Sequence, residues 1–181
     1  NCSEVIYSAA FLKIPYFKKL IENGSLVIKR NAVNIGMSAN ILRCMEQLDH
    51  GWLWVISDDD QIKSDCFNSI FSEINKGKAL GFSSIYFGSY TSLSNSLEID
   101  NLPKFIDLNL NSINNFNQSI FISNTIYYLP DYKNYLKYGY LNAGTYIPHF
   151  MMSVHLLNNG SKILYRSKEI VNYIKPEVGY S

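Results

Sequence analysis

Long hydrophobic runs are missing from this chain: no apolar stretch reaches the ~18 residues expected of a membrane-spanning helix. No charged leader followed by an apolar segment and a cleavage-site pattern stands at its start either. Cysteine is scarce. Cys2, Cys44 and Cys66 are odd in number and widely spaced, so they form neither a disulfide framework nor a C-x-x-C metal signature. That usage favours a reducing, cytoplasmic compartment, at most at the inner face of the membrane. An excess of one charge is lacking too: 16 basic against 15 acidic side chains give a net charge of +1. No basic stripe is available to track a nucleic acid backbone, which argues against a polymeric nucleic acid partner. Neither a G-x-G-x-x-G fingerprint nor a Gly-rich Lys-Ser/Thr phosphate loop occurs.

The 181 residues, 47% hydrophobic and 17% charged, suit one folded domain with a sizeable core. Pro15 to Asn23 reads as a short helix and Ser25 to Lys29 as a strand. Met37, Ile41, Cys44, Met45 and Leu48 then recur at helical spacing. Trp52 to Ile56 is apolar at every position, the signature of a parallel strand covered on both faces. Ser64 or Asp65 can cap a helix that stops near Gly77, ahead of a strand from Ala79 to Phe87. This strand–helix alternation predicts an α/β fold, a mostly parallel sheet flanked by helices with a Rossmann-like nucleotide-binding half and ligands at the carboxyl ends of the strands. Beyond Gly88 the pattern weakens. Ser89 to Asn117 reads as an irregular, substrate-covering excursion with one short helix. A strand over Ser119 to Tyr128, a short helix over Tyr132 to Tyr138, a helix from Pro148 to Leu157 and a strand over Lys162 to Tyr165 follow.

The chemistry concentrates after the strand at Trp52. Asp58, Asp59 and Asp60 are consecutive, and adjacent like charges repel unless solvent, donors or a cation offset them. Mg²⁺ or Mn²⁺ offsets them directly, taking one or two carboxylates and bridging to phosphates. The near-two period of a strand end points Asp58 and Asp60 into one region. The alternative is a solvated acidic turn in which Asp59 or Asp60 caps the next helix. Asn31, Asn34, Gly36 and Asn40 form a second constellation, in which Gly36 permits close backbone approach and the following helix start offers free N–H groups. A plain strand-to-helix connection, capped by Asn34 or Ser38, accounts for it equally well. His149, just after Pro148, suits a metal site with Asp60, a phosphate contact as imidazolium, or a surface or packed helical histidine.

An Asn/Gly-rich turn, a helix and then Gly-Trp-Leu-Trp-Val-Ile-Ser-Asp-Asp-Asp together resemble the nucleotide-sugar-dependent glycosyltransferases of the GT-A fold, particularly the large family 2. The specific resemblance covers roughly residues 25 to 75. It implies a D-x-D motif in which Asp58 contacts the ribose or nucleotide, Asp59 assists near the donor sugar and Asp60, with Asp58, holds Mn²⁺ or Mg²⁺. Asn31, Asn34, Gly36 and Asn40 match the family's N-x-G…N segment, and His149 corresponds to its late metal- or diphosphate-reaching histidine. The implied partners are a nucleoside diphosphate sugar, commonly a uridine one, and a saccharide or lipid-linked acceptor, as in polysaccharide biosynthesis. Peripheral membrane association and a homo-oligomer are compatible with this. The family's opening strand, turn and helix have no counterpart here, and Asn1-Cys2-Ser3 resembles the remnant of a later turn, so the expectation is an N-terminally truncated catalytic domain. Residues 1–88 would be its donor-binding part and 89–181 its acceptor side. Inverting transfer needs a base, and Asp131 is the only acidic residue between Ser119 and His149. Two other classes stay open: a metal-dependent phosphohydrolase, and a non-catalytic binding or assembly module on a transferase fold.

Overall fold

The computed structural model describes residues 15–27, 29, 31–57, 59–91 and 93–173. The chain divides into two compact units, residues 1–35 and 36–181. In the first, helix α1 spans Pro15–Glu22 and ends where Gly24 takes a left-handed φ of 73°. The strand expected over Ser25 to Lys29 is not formed at its described positions; Ile28 lies outside them. One reason is local: the Leu26 N–H donates back to the Leu20 carbonyl at 3.0 Å, closing the helix end instead of joining a ladder.

The second unit opens with α2, Met37–Gln47. Its buried face is Ile41, Leu42 and Met45, whereas Met37, expected on the apolar stripe, is exposed. Strand β1 is only Trp52–Trp54, followed by the short β2, Asp60–Ile62. Helix α3, Cys66–Leu80, leads into β3, Phe82–Phe87, which is buried at every position. The expected stop at Gly77 is an interior helical residue instead. The helix ends at Gly81, where φ is 72°.

The excursion expected between Ser89 and Asn117 is largely regular. It contains β4, Ser96–Ile99, and two helices, α4, Leu102–Leu110, and α5, Ile113–Ile120. Asn101 and Ser112 cap these helices by accepting from Lys104 N and Asn115 N, so residues that look like loop composition are helix starts. Strand β5, Thr125–Tyr128, is shorter than expected because α5 runs to Ile120 and a 3-10 turn takes Ile122–Asn124. Helices α6, Leu129–Tyr132, α7, Leu136–Leu141, and α8, Pro148–Asn158, precede β6, Lys162–Arg166, and β7, Val171–Tyr173.

The five-stranded sheet runs in the order β1-β5-β3-β6-β4, and β2 and β7 form a separate antiparallel pair. The β3–β6 pair is parallel, while β1–β5, β5–β3 and β6–β4 are antiparallel. The sheet is therefore mixed, which corrects the expectation of a mostly parallel one. The crossover from β1 through α3 to β3 does return in the same direction, but β5 inserts between the two strands. An unbroken apolar run specifies burial of both faces of a strand and leaves the direction of its neighbour open. The sheet draws β1 and β3 from one side of residue 88 and β4, β5 and β6 from the other.

Helices cover both faces of the sheet. Under α3, Cys66 and Ile70 pack with Ile85, Phe87, Ile126 and Leu164. On the opposite faces of the same strands, Tyr86, Ile163 and Tyr165 pack with Phe105, Phe150 and Leu157. Buried tyrosines place hydroxyls inside this core, and several are paired: Tyr86 and Tyr132 share Ser153 at 2.6 and 2.7 Å, and Tyr165 meets Asn109 and Ser119.

Gly77 sets the approach of α3 to β1. A Cβ there would stand 3.1 Å from Trp52 Cη2 and 3.3 Å from Ile85 Cδ1. A rigid indole and a packed strand residue leave little room, so Gly77→Val should destabilise the fold by about 1–3 kcal/mol, the cost of overpacking a core. Urea unfolding measures this, and wild-type stability in the variant would contradict the packing described.

Candidate acidic site at the sheet edge

Because β1, β3 and β6 run in one direction, their carboxyl ends share an edge of the sheet, and antiparallel β5 begins there. The segment leaving β1 is anchored at that edge by Ser123, which precedes β5. The Ser57 N–H donates to Ser123 Oγ at 2.9 Å, and Trp54 Nε1–H donates to the Ser123 carbonyl at 2.8 Å. Ser57 Oγ then donates to the Asp59 carboxylate, and the Asp60 N–H closes a turn on the Ser57 carbonyl at 3.3 Å.

This geometry separates the aspartates. Asp59 is exposed, whereas Asp60 enters β2 partly buried, with both carboxylate oxygens shielded from solvent. Asp58 lies outside the described residues. The β2–β7 ladder sets Asp60 opposite Tyr173 and Ile62 opposite Val171. Neither Asp59 nor Asp60 caps α3: Asp65 is at that cap position, without a side-chain capping bond.

The other expected site residues lie on several elements. Gly36, with φ at 77°, stands at the cap position of α2 and accepts from the Asn40 N–H at 3.1 Å. Asn40 is partly buried in that helix. Asn31 and Asn34 belong to the first unit, Asn31 partly buried and Asn34 exposed. Asp131 sits in α6, just past the end of β5, where Leu129 N bonds to the Gly51 carbonyl before β1. Its carboxylate accepts from Ser83 Oγ at 2.6 Å, near the start of β3. Asp131 is therefore at the edge opposite Asp59 and Asp60, and the fold does not bring it to them.

His149 lies in the first turn of α8, 1% exposed, with its ring edge-on to Tyr127. Nε2 is 2.9 Å from the Ile120 carbonyl. A carbonyl only accepts, so Nε2 carries the proton and Nδ1 the lone pair. Burial pushes the imidazole pKa down to about 4.

Lys63, Ser89, Lys168 and Glu169 complete the edge. Lys63 Nζ reaches Glu169 Oε2 at 2.5 Å, and Ser89 Oγ donates to Glu169 Oε1. Lys168 Nζ bonds Ser69 Oγ at 2.5 Å, and Arg166 pairs with buried Glu73 at 3.3 Å. Hydrogen bonds from Lys63 and then Ser89 hold the Glu169 carboxyl below the usual range. The pairings of β2 with β7 and of β3 with β6 join these residues, which are distant in sequence.

Among the described residues, no group of three or more His, Cys, Asp and Glu side chains gathers as a metal cage, and no helix is long and apolar enough to cross a membrane. Mg²⁺ needs only one or two carboxylates, with water and phosphate supplying the rest, and the donors at this edge are hard oxygens of that kind. No family model, curated protein or solved structure matches the chain.

The buried histidine has a consequence for stability. Its pKa falls from about 6.5 in the unfolded chain to about 4 in the fold. The stability is fully present above pH 6.5 and is lost progressively as the pH falls toward 4, because the unfolded state binds the proton first. Over that window wild type should lose on the order of 3 kcal/mol more than His149→Gln, whose amide can still donate to the Ile120 carbonyl. Urea midpoints at pH 7 and pH 4 measure the difference, and parallel declines would refute it.

Proposed function

We propose that this chain is a divalent-metal-dependent glycosyltransferase domain of GT-A type, transferring a sugar from a nucleoside diphosphate donor, a uridine one by preference, to a hydroxyl of a saccharide or lipid-linked acceptor. The observation that carries the reading is the delivery of Ser57, Asp59 and Asp60 to the edge where the carboxyl ends of β1, β3 and β6 meet. Ligands of α/β folds gather at such edges. The resemblance of Gly51 to Asp60 to the family's acidic strand end supports the same conclusion.

In this reading Asp60 is the metal carboxylate, and Asp58 shares the ion or meets the ribose. Asp59, oriented by Ser57 Oγ, faces the donor sugar. Mn²⁺ or Mg²⁺, when bound, neutralises charge on the departing diphosphate. The protein's own contribution is orientation: Ser123 fixes Ser57, and β7 fixes β2, so that the carboxylates are held before the ligand arrives. Pre-positioned charge of this kind costs little reorganisation during transfer. Asp131, bonded to Ser83 at the opposite edge, is not assigned as base.

Calorimetric titration with uridine diphosphate should show binding that depends on Mn²⁺. Asp60→Ala should weaken it at least about tenfold, the loss that even outer-shell partners of a metal ligand produce. Metal-independent binding that Asp60→Ala leaves unchanged would sink the reading.

A further inference from the structure

We infer that Glu169 is a positioning residue, a clasp that holds the strand bearing Asp60 against the sheet edge. The inference rests on the transferase reading for its functional half and on geometry alone for its structural half.

Strand β2 is three residues long and pairs only with β7 in the described sheets, and an isolated two-stranded ribbon is marginal in water. Something beyond its ladder must keep it in place. The segment from Arg166 to Val171 supplies that. Ile170 and Val171 are buried in the core cluster under α3, against which Ile62 packs. The Lys63 N–H donates to the Ile170 carbonyl at 3.0 Å, extending the ladder by one step.

Glu169 adds the side-chain connection. One carboxylate oxygen takes Lys63 Nζ, at the exit of β2, and the other takes Ser89 Oγ, at the exit of β3. A single side chain thus ties two separate strand ends at the edge where Asp59 and Asp60 are presented. The backbone beneath it is fixed as well. The Gly88 N–H is shared between the Arg166 and Lys168 carbonyls at 3.2 and 3.0 Å, and Ser167 N bonds to the Asn95 carbonyl at 2.8 Å. Lys168 reaches back to Ser69 on α3. The clasp is half-exposed and ionic, so it is open to rearrangement when an anionic ligand arrives nearby, whereas the apolar anchors below it are not.

Amide hydrogen exchange and Mn²⁺-dependent binding of uridine diphosphate, both on the full chain, test the two halves. In Glu169→Ala the Lys63 amide should exchange about tenfold faster, with Glu169→Gln intermediate because it keeps hydrogen bonds without the charge. Asp100→Ala, which cuts the exposed Lys104–Asp100 pair on another face, should leave that amide unchanged. Nucleotide affinity should fall about tenfold in Glu169→Ala and recover partly in Glu169→Gln. An unaltered Lys63 amide in Glu169→Ala overturns the clasp. A faster amide with wild-type affinity overturns its positioning role. Wild-type chain that binds no metal–nucleotide overturns the transferase reading instead, and the exchange result then still decides whether Glu169 holds the strand.

Discussion

Strand β5 is the constraint on which the rest of the second unit depends. Ile126 stands opposite Trp54 on one side and Ile85 on the other, so β1 belongs to the sheet only through β5. The same strand carries Ser123 just before it, and that residue fixes the segment leading to Asp59 and Asp60. Tightening the contact from the other direction, Gly77 lets α3 close on the Trp52 ring. Two tryptophans on a three-residue edge strand are thereby half-buried, one against a helix and one hydrogen-bonded to the backbone before β5.

Once β1 is fixed, the position of the acidic segment follows from chain direction. β1, β3 and β6 point the same way, and every connection leaving their carboxyl ends has to cross the same edge. Asp59, Asp60, Lys63, Ser89 and Glu169 all lie on such connections or on the short ribbon they form. Residues entering from the other end, such as Asp131 and Ser83, form a separate polar contact. The sheet thus places Asp59 and Asp60 at one end and Asp131 at the other, and on the proposed reading this favours Asp60 over Asp131.

The parts of this arrangement legible in the sequence are those that depend on local pattern. The helices at Pro15, Met37, Cys66 and Pro148 show through spacing, capping and proline position, and β3 and β6 through their apolar runs. Strand direction was not legible, because β5 pairs with β1 and β3 across 70 and 40 residues or so, and a local apolar run is blind to that. The helices α4 and α5 were hidden by Asn and Ser, which suggest loops yet act here as caps at Asn101 and Ser112 and as buried hydrogen-bonding groups at Asn109 and Asn115. The position of His149 after Pro148 left a ligand, a surface and a packed histidine open, and the fold buries it with Nε2 on a backbone carbonyl. Glu169 left no signal, since nothing in its neighbourhood marks it apart from its distance to Lys63 in space.

The central claim is that the edge beyond β1 holds a divalent ion and a nucleotide together. Paramagnetic relaxation by Mn²⁺ added with uridine diphosphate tests it directly in an isotope-labelled chain. Amide signals of Asp59 to Lys63 and of Ser89 should broaden at substoichiometric Mn²⁺, while those of Asp131 and Ser83 at the opposite edge stay sharp. Broadening centred on any other part of the chain, or none that depends on the nucleotide, would contradict the account.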